Sequence, residues 1–289
     1  MIIVRLTGGI GNQMFQYAFG RALAERYKAE VKLDISFYSD PKWNVPPRTY
    51  DLNIFNIHEK FATADEISKL SRRVSLDIGD RILNRVLGVK KSHIREPHIH
   101  LSEAAFQSPD NVYISGYWQS EKYFANIEPV LRREFTFREP LSANADKILS
   151  RIESTNSVCV HVRRGDFLVN PLNGVYGTDY FKDAEKVILQ NVSDPTYFVF
   201  SDDMEWCKSN LRFEGPTVFV SDDFGERKFR DDLRLMSNCK HFVIPNSSFS
   251  WWAVWLSNRI GNTVIAPKRW LTDPTIDTSD LIPKDWIRL

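Results

Sequence analysis

The fold is decided by one stretch, Val158–Phe167, which reads VCVHVRRGDF. It begins as a β-branched apolar run and ends in charged side chains beside a glycine, a pattern typical of a buried strand that stops at a loop. Open parallel α/β sheets bind ligands outside the carboxyl ends of their strands. The planar guanidinium groups of Arg163 and Arg164 match phosphate or carboxylate oxygens two at a time. The stretch therefore predicts either an anion site or an Arg–Asp pair that only fastens the loop, because unpaired buried charges are costly.

Strands and helices alternate along the rest of the C-terminal half. The predicted strands are Val158–Val162, Tyr197–Phe200, Val218–Val220, Phe242–Ile244 and Val264–Ala266. Helical patterns separate them, and Ser142 is positioned to cap a helix that precedes the series. This alternation indicates a parallel sheet with right-handed crossovers. We expect two domains, residues 1–140 and 141–289.

Polar clusters follow four of these strands. They are His161–Asp166, Ser201–Asp203, Ser221–Asp223 and Asn246–Ser248. Because carboxyl ends of parallel strands share one edge of a sheet, the clusters predict a common ligand crevice. Ser221–Asp223 is also typical of an ordinary cap and turn, whereas Asp202 or Asp203 could accept hydrogen bonds from a base or a ribose.

Ser247 and Ser248 come just before an apolar, tryptophan-rich helical segment. Hydroxyls and free backbone N–H groups at a helix N-terminus bind anions. An anion held there and by Arg163 or Arg164 fits a pyrophosphate, and arginine would then neutralise the departing diphosphate in place of a metal. The sequence has no Asp-x-Asp triplet, which argues against a bound divalent ion. The tryptophans Trp251, Trp252 and Trp255 are predicted to pack in the core.

The N-terminal half opens with a predicted strand, Ile2–Leu6, a glycine-rich turn, Thr7–Gln13, and a helix from Met14 to Tyr27. Such a turn brings the backbone close to a ligand at a helix N-terminus, or it serves geometry alone. A dinucleotide fingerprint would require a third glycine where Met14 stands, so a dehydrogenase is disfavoured. Other predicted elements are strands at Val31–Asp34 and Val112–Ser115 and helices at Asp65–Leu70, Leu76–Leu87 and Asn126–Phe135.

Composition narrows the class of protein. Lys and Arg number 38 against 37 Asp and Glu, so a generally basic nucleic-acid surface is excluded. The three cysteines, Cys159, Cys207 and Cys239, are too far apart for a disulfide framework or a zinc site and favour a reducing compartment.

Several of these stretches resemble, in order, motifs of the alpha-1,2-fucosyltransferase family, glycosyltransferase family 11, of the bacterial type. The stretches are Gly8–Ala18, His161–Asp166, Asp179–Phe181, Phe200–Asp203 and Asn246–Trp252. The resemblance covers nearly the whole chain. It implies an α/β fold of the GT-B class, with two Rossmann-like domains of mostly parallel sheets that face each other across a cleft. The C-terminal domain would bind the nucleotide sugar, and the N-terminal domain would lie on the acceptor side.

The resemblance also implies an activity. The enzyme would transfer L-fucose from GDP-β-L-fucose to the 2-OH of a terminal galactoside, with inversion, in α-1,2 linkage and without a metal or other cofactor. The acceptor would be a galactoside-terminated oligosaccharide or a lipid-linked glycan. Two alternatives stay open: another GDP-sugar as donor, or a non-catalytic carbohydrate-binding protein. A bacterial cytoplasmic location is expected, with loose attachment to the inner membrane face as an alternative.

Carried over by motif, the resemblance implies roles for individual residues. Arg163 would contact the diphosphate and act in catalysis, while His161 and Asp202 would lie near the guanosine. Ser247 and Ser248 would hold phosphate oxygens, and Gly11 with Asn12 would close the cleft from the other domain. The full implied donor-binding set is Gly11, Asn12, His161, Arg163, Arg164, Ser201, Asp202, Asn246, Ser247 and Ser248.

The general base is not assigned by the resemblance. In the related core-type alpha-1,6-fucosyltransferases a glutamate a few residues past the same motif serves as base, whereas Phe167–Pro171 here contains no carboxylate. Asp166 is the nearest candidate, although orienting Arg163 or Arg164 is its favoured role.

Overall fold

The computed structural model describes residues 1–42, 47–71, 92–220 and 228–289. The helix predicted at Leu76–Leu87 and the cluster Ser221–Asp223 lie outside these residues. The chain forms two compact units. Unit 1 comprises Met1–Thr136 and Ser279–Leu281, and unit 2 comprises Phe137–Thr278 and Ile282–Leu289.

Unit 1 contains a four-stranded parallel sheet in the order β2-β1-β4-β3. Its strands are β1 (Ile2–Arg5), β2 (Val31–Asp34), β3 (His93–Arg95) and β4 (Val112–Ser115). Its α-helices in the described residues are α1 (Ile10–Tyr27), α2 (Ala64–Ser71) and α3 (Glu128–Glu134). The chain leaves β1 toward β2 on one side and later returns to β4 on the other. This reversal makes the gap between β1 and β4 the switch point of unit 1, the place where open α/β sheets bind ligands.

Helix α1 begins at Ile10, four residues earlier than the sequence pattern predicts. Gly8 has a φ of +73°, which L side chains rarely adopt, and Gly9 is the extended residue before the helix. The backbone N–H groups of Asn12 and Gln13 both donate to the Gly9 carbonyl. The tight turn is therefore confined to the first two glycines, and Gly11 already lies in the helix.

Unit 2 contains a six-stranded parallel sheet in the order β10-β9-β8-β5-β6-β7. The strands are β5 (Asn156–Val162), β6 (Pro195–Ser201), β7 (Thr217–Phe219), β8 (His241–Val243), β9 (Val264–Ala266) and β10 (Ile287–Arg288). The described α-helices are α4 (Ala143–Ser154), α5 (Thr178–Asn191), α6 (Met204–Asn210), α7 (Lys228–Asn238) and α8 (Ser248–Ser257). From β5 the chain builds outward to β6 and β7, and then it returns to β8 on the other side. The switch point of unit 2 is therefore the gap between β5 and β8.

Strand β5 is buried on both faces, as its continuous apolar run predicts. Val158, Val160 and Val162 pack in a cluster with residues of α5 and α6, namely Phe181, Ala184, Ile188, Met204 and Cys207. Because side chains alternate along a strand, Cys159 and His161 lie on the opposite face. The strand is therefore held by packing on both faces.

The described helices and strands match the predicted ones in kind, with two additions, β3 and β10. Helix α4 is capped as predicted, since the Ser142 hydroxyl accepts a hydrogen bond from the Ala145 N–H at 3.4 Å. Trp251 and Trp252 are fully buried, which confirms their predicted place in the core, whereas Trp255 is only partly buried. The three cysteines are buried and unpaired.

The units differ from the predicted domains at two points. Unit 1 ends at Thr136, and it also includes Ser279–Leu281 from near the C-terminus. The Asp280 carbonyl accepts a hydrogen bond from the Ser120 hydroxyl at 2.8 Å, and its carboxylate accepts one from the Leu101 N–H at 3.1 Å. Single contacts of this kind leave no periodic pattern in the sequence. Within the described residues, no helix combines the length and apolarity needed to cross a bilayer.

Candidate functional site

The candidate site lies at the switch point of unit 2. Val160 of β5 is paired with Val243 of β8. Three residues beyond this pair, the two segments reach Arg163 and Asn246, which lie just past the ends of β5 and β8. Two of the predicted polar clusters are thus adjacent at the position where such sheets bind ligands.

The Arg163 guanidinium is held between two carboxylates. Its Nη2 lies 2.7 Å from Asp166 Oδ1, and its Nη1 lies 3.2 Å from Asp202 Oδ2. One quarter of the Arg163 side chain is exposed. These two ion pairs hold the guanidinium in place between the two carboxylates.

The Arg164 side chain is less exposed than that of Arg163 and contacts other residues. Its Nε donates to Asp203 Oδ2 at 2.9 Å, and its guanidinium lies over the Trp206 ring, 4.1 Å from the centroid. Its backbone N–H donates to Asp202 Oδ1 at 2.9 Å. Arg164 therefore fastens the loop to α6, as one of the two sequence interpretations proposed for the arginine pair.

The polar cluster after β6, Ser201–Asp203, contacts both arginines through its two carboxylates. Asp202 forms an ion pair with Arg163 and accepts a hydrogen bond from the Arg164 N–H. Asp203 caps α6 by accepting from the Trp206 N–H at 3.2 Å. The Ser201 hydroxyl accepts the Asp203 N–H at 2.9 Å and is buried. Ser201 thus shapes the turn, and its predicted contact with a donor stays a prediction.

Gly165 allows this compact arrangement. A Cβ at Gly165 would come within 2.6 Å of Asp202 Oδ2, closer than non-bonded carbon and oxygen can approach. The glycine therefore serves the close approach of the loop after β5 to the carboxylate after β6.

The turn from β8 to α8 supplies the neighbouring side of the site. Asn246 is buried, its Nδ2 donates to the Trp270 carbonyl at 2.9 Å, and its Oδ1 accepts no hydrogen bond in the described part of the chain. Ser247 precedes α8, and its side chain forms no capping hydrogen bond to the helix. Ser248 is the first residue of α8 and therefore lies in its first turn.

His161 is buried on the face of β5 opposite Val160 and Val162. Its ring centroid lies 5.7 Å from that of Phe249 in α8. Burial, with the positive charges of Arg163 and Lys228, lowers the pKa of His161 to about 3. Its Nδ1 is buried with no hydrogen-bond partner among the residues described. At neutral pH the ring is uncharged and offers one donor and one acceptor.

Gly11 and Asn12, the other predicted donor ligands, belong to unit 1. The Asn12 Oδ1 accepts a hydrogen bond from Gln119 Nε2 at 2.8 Å. Gln16 joins the two loops at the switch point of unit 1, since its Nε2 donates to Thr7 Oγ1 at 2.9 Å and to the Gly116 carbonyl at 3.0 Å. The role of Asn12 toward a donor stays a prediction.

Sequence reasoning missed several residues that shape the sites. Trp206 supports Arg164, and its place three residues after the capping Asp203 was a usable signal. Glu96 fixes the loop after β4 by accepting from the backbone N–H groups of Tyr117 and Trp118 at 2.6 and 2.8 Å. No local pattern distinguishes Glu96 from a surface glutamate.

Comparison with known proteins identifies the family of the chain. The family model of glycosyl transferase family 11 matches residues 80–289. The alpha-1,2-colitosyltransferase of Escherichia coli is 32% identical over 100% of this chain and 99% of its own length. The galactoside alpha-(1,2)-fucosyltransferase 1 of Leontocebus fuscicollis is 32% identical over 52% of this chain and 44% of its own length.

A solved structure shares the fold. FUT1 of Arabidopsis thaliana, a mutant in complex with GDP, superimposes with a TM-score of 0.54 at 12% identity, covering 98% of this chain and 74% of that chain. The two parallel-sheet units thus have the architecture of GT-B glycosyltransferases, as expected. Within that class, the chain belongs to glycosyl transferase family 11.

Proposed function

We propose that the protein transfers L-fucose from GDP-β-L-fucose to the 2-OH of a terminal galactoside, with inversion and without a metal. The observation that carries the proposal is the Arg163 guanidinium, held by two carboxylates at the switch point of unit 2. Family membership and the named alpha-(1,2)-fucosyltransferase relative support the sugar and the linkage.

Arg163 stabilises the leaving group in this proposal. As the bond from the sugar to the diphosphate breaks, negative charge grows on the phosphate oxygens. A guanidinium whose orientation is already fixed needs no rearrangement to receive that charge, so it favours the transition state over the ground state. Asp166 and Asp202 are the residues that fix this orientation.

The β8–α8 turn completes the donor site. The first-turn N–H groups of α8 and the hydroxyls of Ser247 and Ser248 bind phosphate oxygens. The buried Oδ1 of Asn246 is an acceptor for a ribose hydroxyl or a base N–H, because a buried carbonyl oxygen without a partner costs about 1–3 kcal/mol. The neutral, buried ring of His161 offers a further hydrogen-bonding group for the nucleoside.

The identity of the sugar has a second candidate. One relative that matches this chain over its full length is a colitosyltransferase. Colitose is fucose without the 3-hydroxyl. A GDP-activated 3,6-dideoxy sugar would use the same diphosphate contacts, and it would differ only at one hydroxyl.

Transfer to a panel of β-galactosides in EDTA tests the proposal. We expect an α-1,2-linked product with GDP-fucose, identified by linkage analysis, and its rate relative to the 3,6-dideoxy donor decides between the two sugars. Absence of transfer from either donor across the panel would contradict the enzymatic proposal. Activity that EDTA abolishes and added metal restores would contradict the metal-free mechanism.

The alternative function, a non-catalytic carbohydrate-binding protein, predicts a different result for the Arg163→Ala variant. It would bind glycans with no need for the paired Arg163. Glycan binding that survives Arg163→Ala unchanged, in a chain that transfers no sugar, would support that reading.

A further inference from the structure

The stretch Asp179–Phe181, one of those that resemble family motifs, lies in the first turn of α5. Phe181 packs in the apolar cluster of unit 2. The neighbouring Tyr180 extends its hydroxyl to the chain that follows β8. The hydroxyl donates to the Ile244 carbonyl at 2.6 Å, and the Ile265 carbonyl lies farther away, at 3.5 Å. Tyr180 therefore holds the backbone at the point where β8 gives way to the β8–α8 turn.

The ladder between β8 and β9 explains why the Ile244 carbonyl needs a side-chain donor. The N–H groups of Phe242 and Ile244 donate to the carbonyls of Thr263 and Ile265, each at 2.9 Å. Because parallel ladders repeat every second residue, the next bond would join the N–H of residue 267 to the Ile244 carbonyl. Residue 267 is Pro267, which has no N–H. The Tyr180 hydroxyl supplies the donor that the ladder lacks there.

The contacts of β9 with β10 show which way residue 267 faces. The Leu289 N–H donates to the Ala266 carbonyl at 3.1 Å, and the Lys268 N–H donates to the Leu289 carbonyl at 2.7 Å. Residues 266 and 268 thus face β10, so residue 267 between them faces β8. Ile244 is fully buried, and a buried carbonyl requires a donor.

The peptide that Tyr180 holds leads directly into the β8–α8 turn. Pro245 follows Ile244, and its ring fixes φ, so a rotation of the Ile244 peptide would be passed on to the residues after it. Within the turn, the Ser247 N–H donates to the Pro245 carbonyl at 2.8 Å. The orientation of the Ile244 peptide therefore sets the orientation of the turn.

A second tyrosine supports the same arrangement. The Tyr176 hydroxyl donates to the Arg269 carbonyl, next to the Trp270 carbonyl that accepts from Asn246. The rings of Tyr176 and Tyr180 are in contact, with centroids 4.8 Å apart. Burial, with the neighbouring Tyr176, raises the pKa of Tyr180 well above its ordinary value, so its hydroxyl is a protonated donor at neutral pH.

We propose that Tyr180 is a positioning residue of the donor site, whose hydroxyl replaces the N–H that Pro267 lacks and holds the β8–α8 turn in the orientation that binds the diphosphate. The inference rests on the proposed function, in which Ser247 and Ser248 bind phosphate oxygens. Tyr180 acts through the turn and not on the ligand. A turn already held in one orientation has less freedom to lose when the donor binds, which favours affinity.

Tyr180→Phe removes the hydroxyl and keeps the ring, and Tyr197→Phe is the matched control. Tyr197 lies near the amino end of β6, where its ring stacks on Phe213. In calorimetry, GDP should bind about 10-fold more weakly to Tyr180→Phe, the effect of losing one buried hydrogen bond, and at wild-type strength to Tyr197→Phe. A folded Tyr180→Phe protein that binds GDP as tightly as wild type overturns the assignment.

Transfer kinetics separate positioning from a loss of folded protein. The turn contacts the diphosphate both before and during transfer, so Tyr180→Phe should raise KM for the GDP-sugar by about 10-fold and leave kcat within about twofold of wild type. A merely structural role would reduce the amount of active protein, which lowers the apparent kcat and leaves KM unchanged. That pattern would also overturn the assignment.

Pro267→Ala provides a rescue, because it gives position 267 an N–H that faces the Ile244 carbonyl. The double variant Tyr180→Phe/Pro267→Ala should bind GDP at wild-type strength. A folded double variant that binds GDP as weakly as Tyr180→Phe, or weakly where Tyr180→Phe does not fold, contradicts the assignment. A wild-type chain that binds GDP but transfers no sugar from either donor contradicts the proposed function instead, while the GDP measurements on Tyr180 stand.

Discussion

At the scale of single residues, the candidate site is organised by how Arg163 is held. A free arginine side chain would lose rotamer entropy on binding an anion, at a cost of about 2 kcal/mol. Here Asp166 and Asp202 already hold the guanidinium in one orientation. The two carboxylates reduce the net positive charge of the site. In the proposed function, they also hold the guanidinium in the orientation that binds the diphosphate.

Gly165→Ala tests whether the approach of the loop to Asp202 matters. The added Cβ would lie 2.6 Å from Asp202 Oδ2 and force that carboxylate away from Arg163. We expect kcat/KM to fall by about 10- to 100-fold, the loss associated with a charged hydrogen bond. Gly177→Ala is the matched control, because a Cβ there has no neighbour within 4 Å. Equal activity of the two variants would show that the Asp202 contact is dispensable.

His161 predicts how stability depends on pH. Its pKa falls from 6.5 to about 3 on folding, so between these values the unfolded chain binds a proton that the folded chain does not. Stability from the neutral ring is therefore present above pH 6.5 and declines as the pH falls through that window toward 3. From pH 7 to pH 5, His161 should account for a loss of about 2 kcal/mol.

Urea unfolding of wild type and His161→Gln at pH 7 and pH 5 measures this contribution. The variant should lose less stability than wild type on acidification. His98→Gln, at an exposed position, is the control and should keep the wild-type pH dependence. A His161→Gln protein with an unchanged pH dependence would argue that His161 is protonated in the folded state.

At the scale of elements, each sheet has one strand from which the chain builds in both directions, β1 in unit 1 and β5 in unit 2. The loops that follow β1 and β4 are joined by Gln16, and those that follow β5 and β6 are joined by Arg163 and Arg164. Polar side chains thus connect the loops that the parallel strands bring together.

Gln16→Ala tests the connection in unit 1. The Gln16 side chain is fully buried. Its removal takes away the hydrogen bonds that it forms with the Thr7 N–H, the Thr7 hydroxyl and the Gly116 carbonyl. We expect a loss of about 3 kcal/mol in the free energy of unfolding, measured by chemical denaturation. Gln190→Ala, at an exposed position of α5, should change stability by less than about 0.5 kcal/mol. A Gln16→Ala protein as stable as that control would contradict the connecting role.

The sequence predicted which segments form helices and strands better than it predicted which strands lie side by side. Alternating apolar runs and helical spacing identified β5, β6 and the helices after them, because periodicity records which face is buried. Strand β3 was missed, since three residues, His93–Arg95, are too few for a pattern. The order of strands was also beyond local patterns, so the adjacency of Arg163 and Asn246 emerged only from the pairing of β5 with β8.

The same limit applied to the site residues. Asp166 was predicted to orient Arg163 or Arg164, and Asp202 to lie near the guanosine. Their ion pairs with Arg163 depend on how two loops approach each other, which no spacing in the sequence records.

At the scale of the whole molecule, two units each complete a parallel sheet with its own switch point. Guanidinium groups paired with carboxylates lie at the switch point of unit 2, whereas the amide side chain of Gln16 joins the loops at that of unit 1. The central claim is that Arg163 binds the donor diphosphate.

Titration of GDP into the intact chain in EDTA, followed by calorimetry, tests that claim most directly. We predict that wild type and Gly177→Ala bind GDP equally and that Arg163→Ala binds about 100-fold more weakly, because Asp166 and Asp202 would be left unpaired beside the phosphates. GDP binding that is undiminished in a folded Arg163→Ala protein would contradict the account.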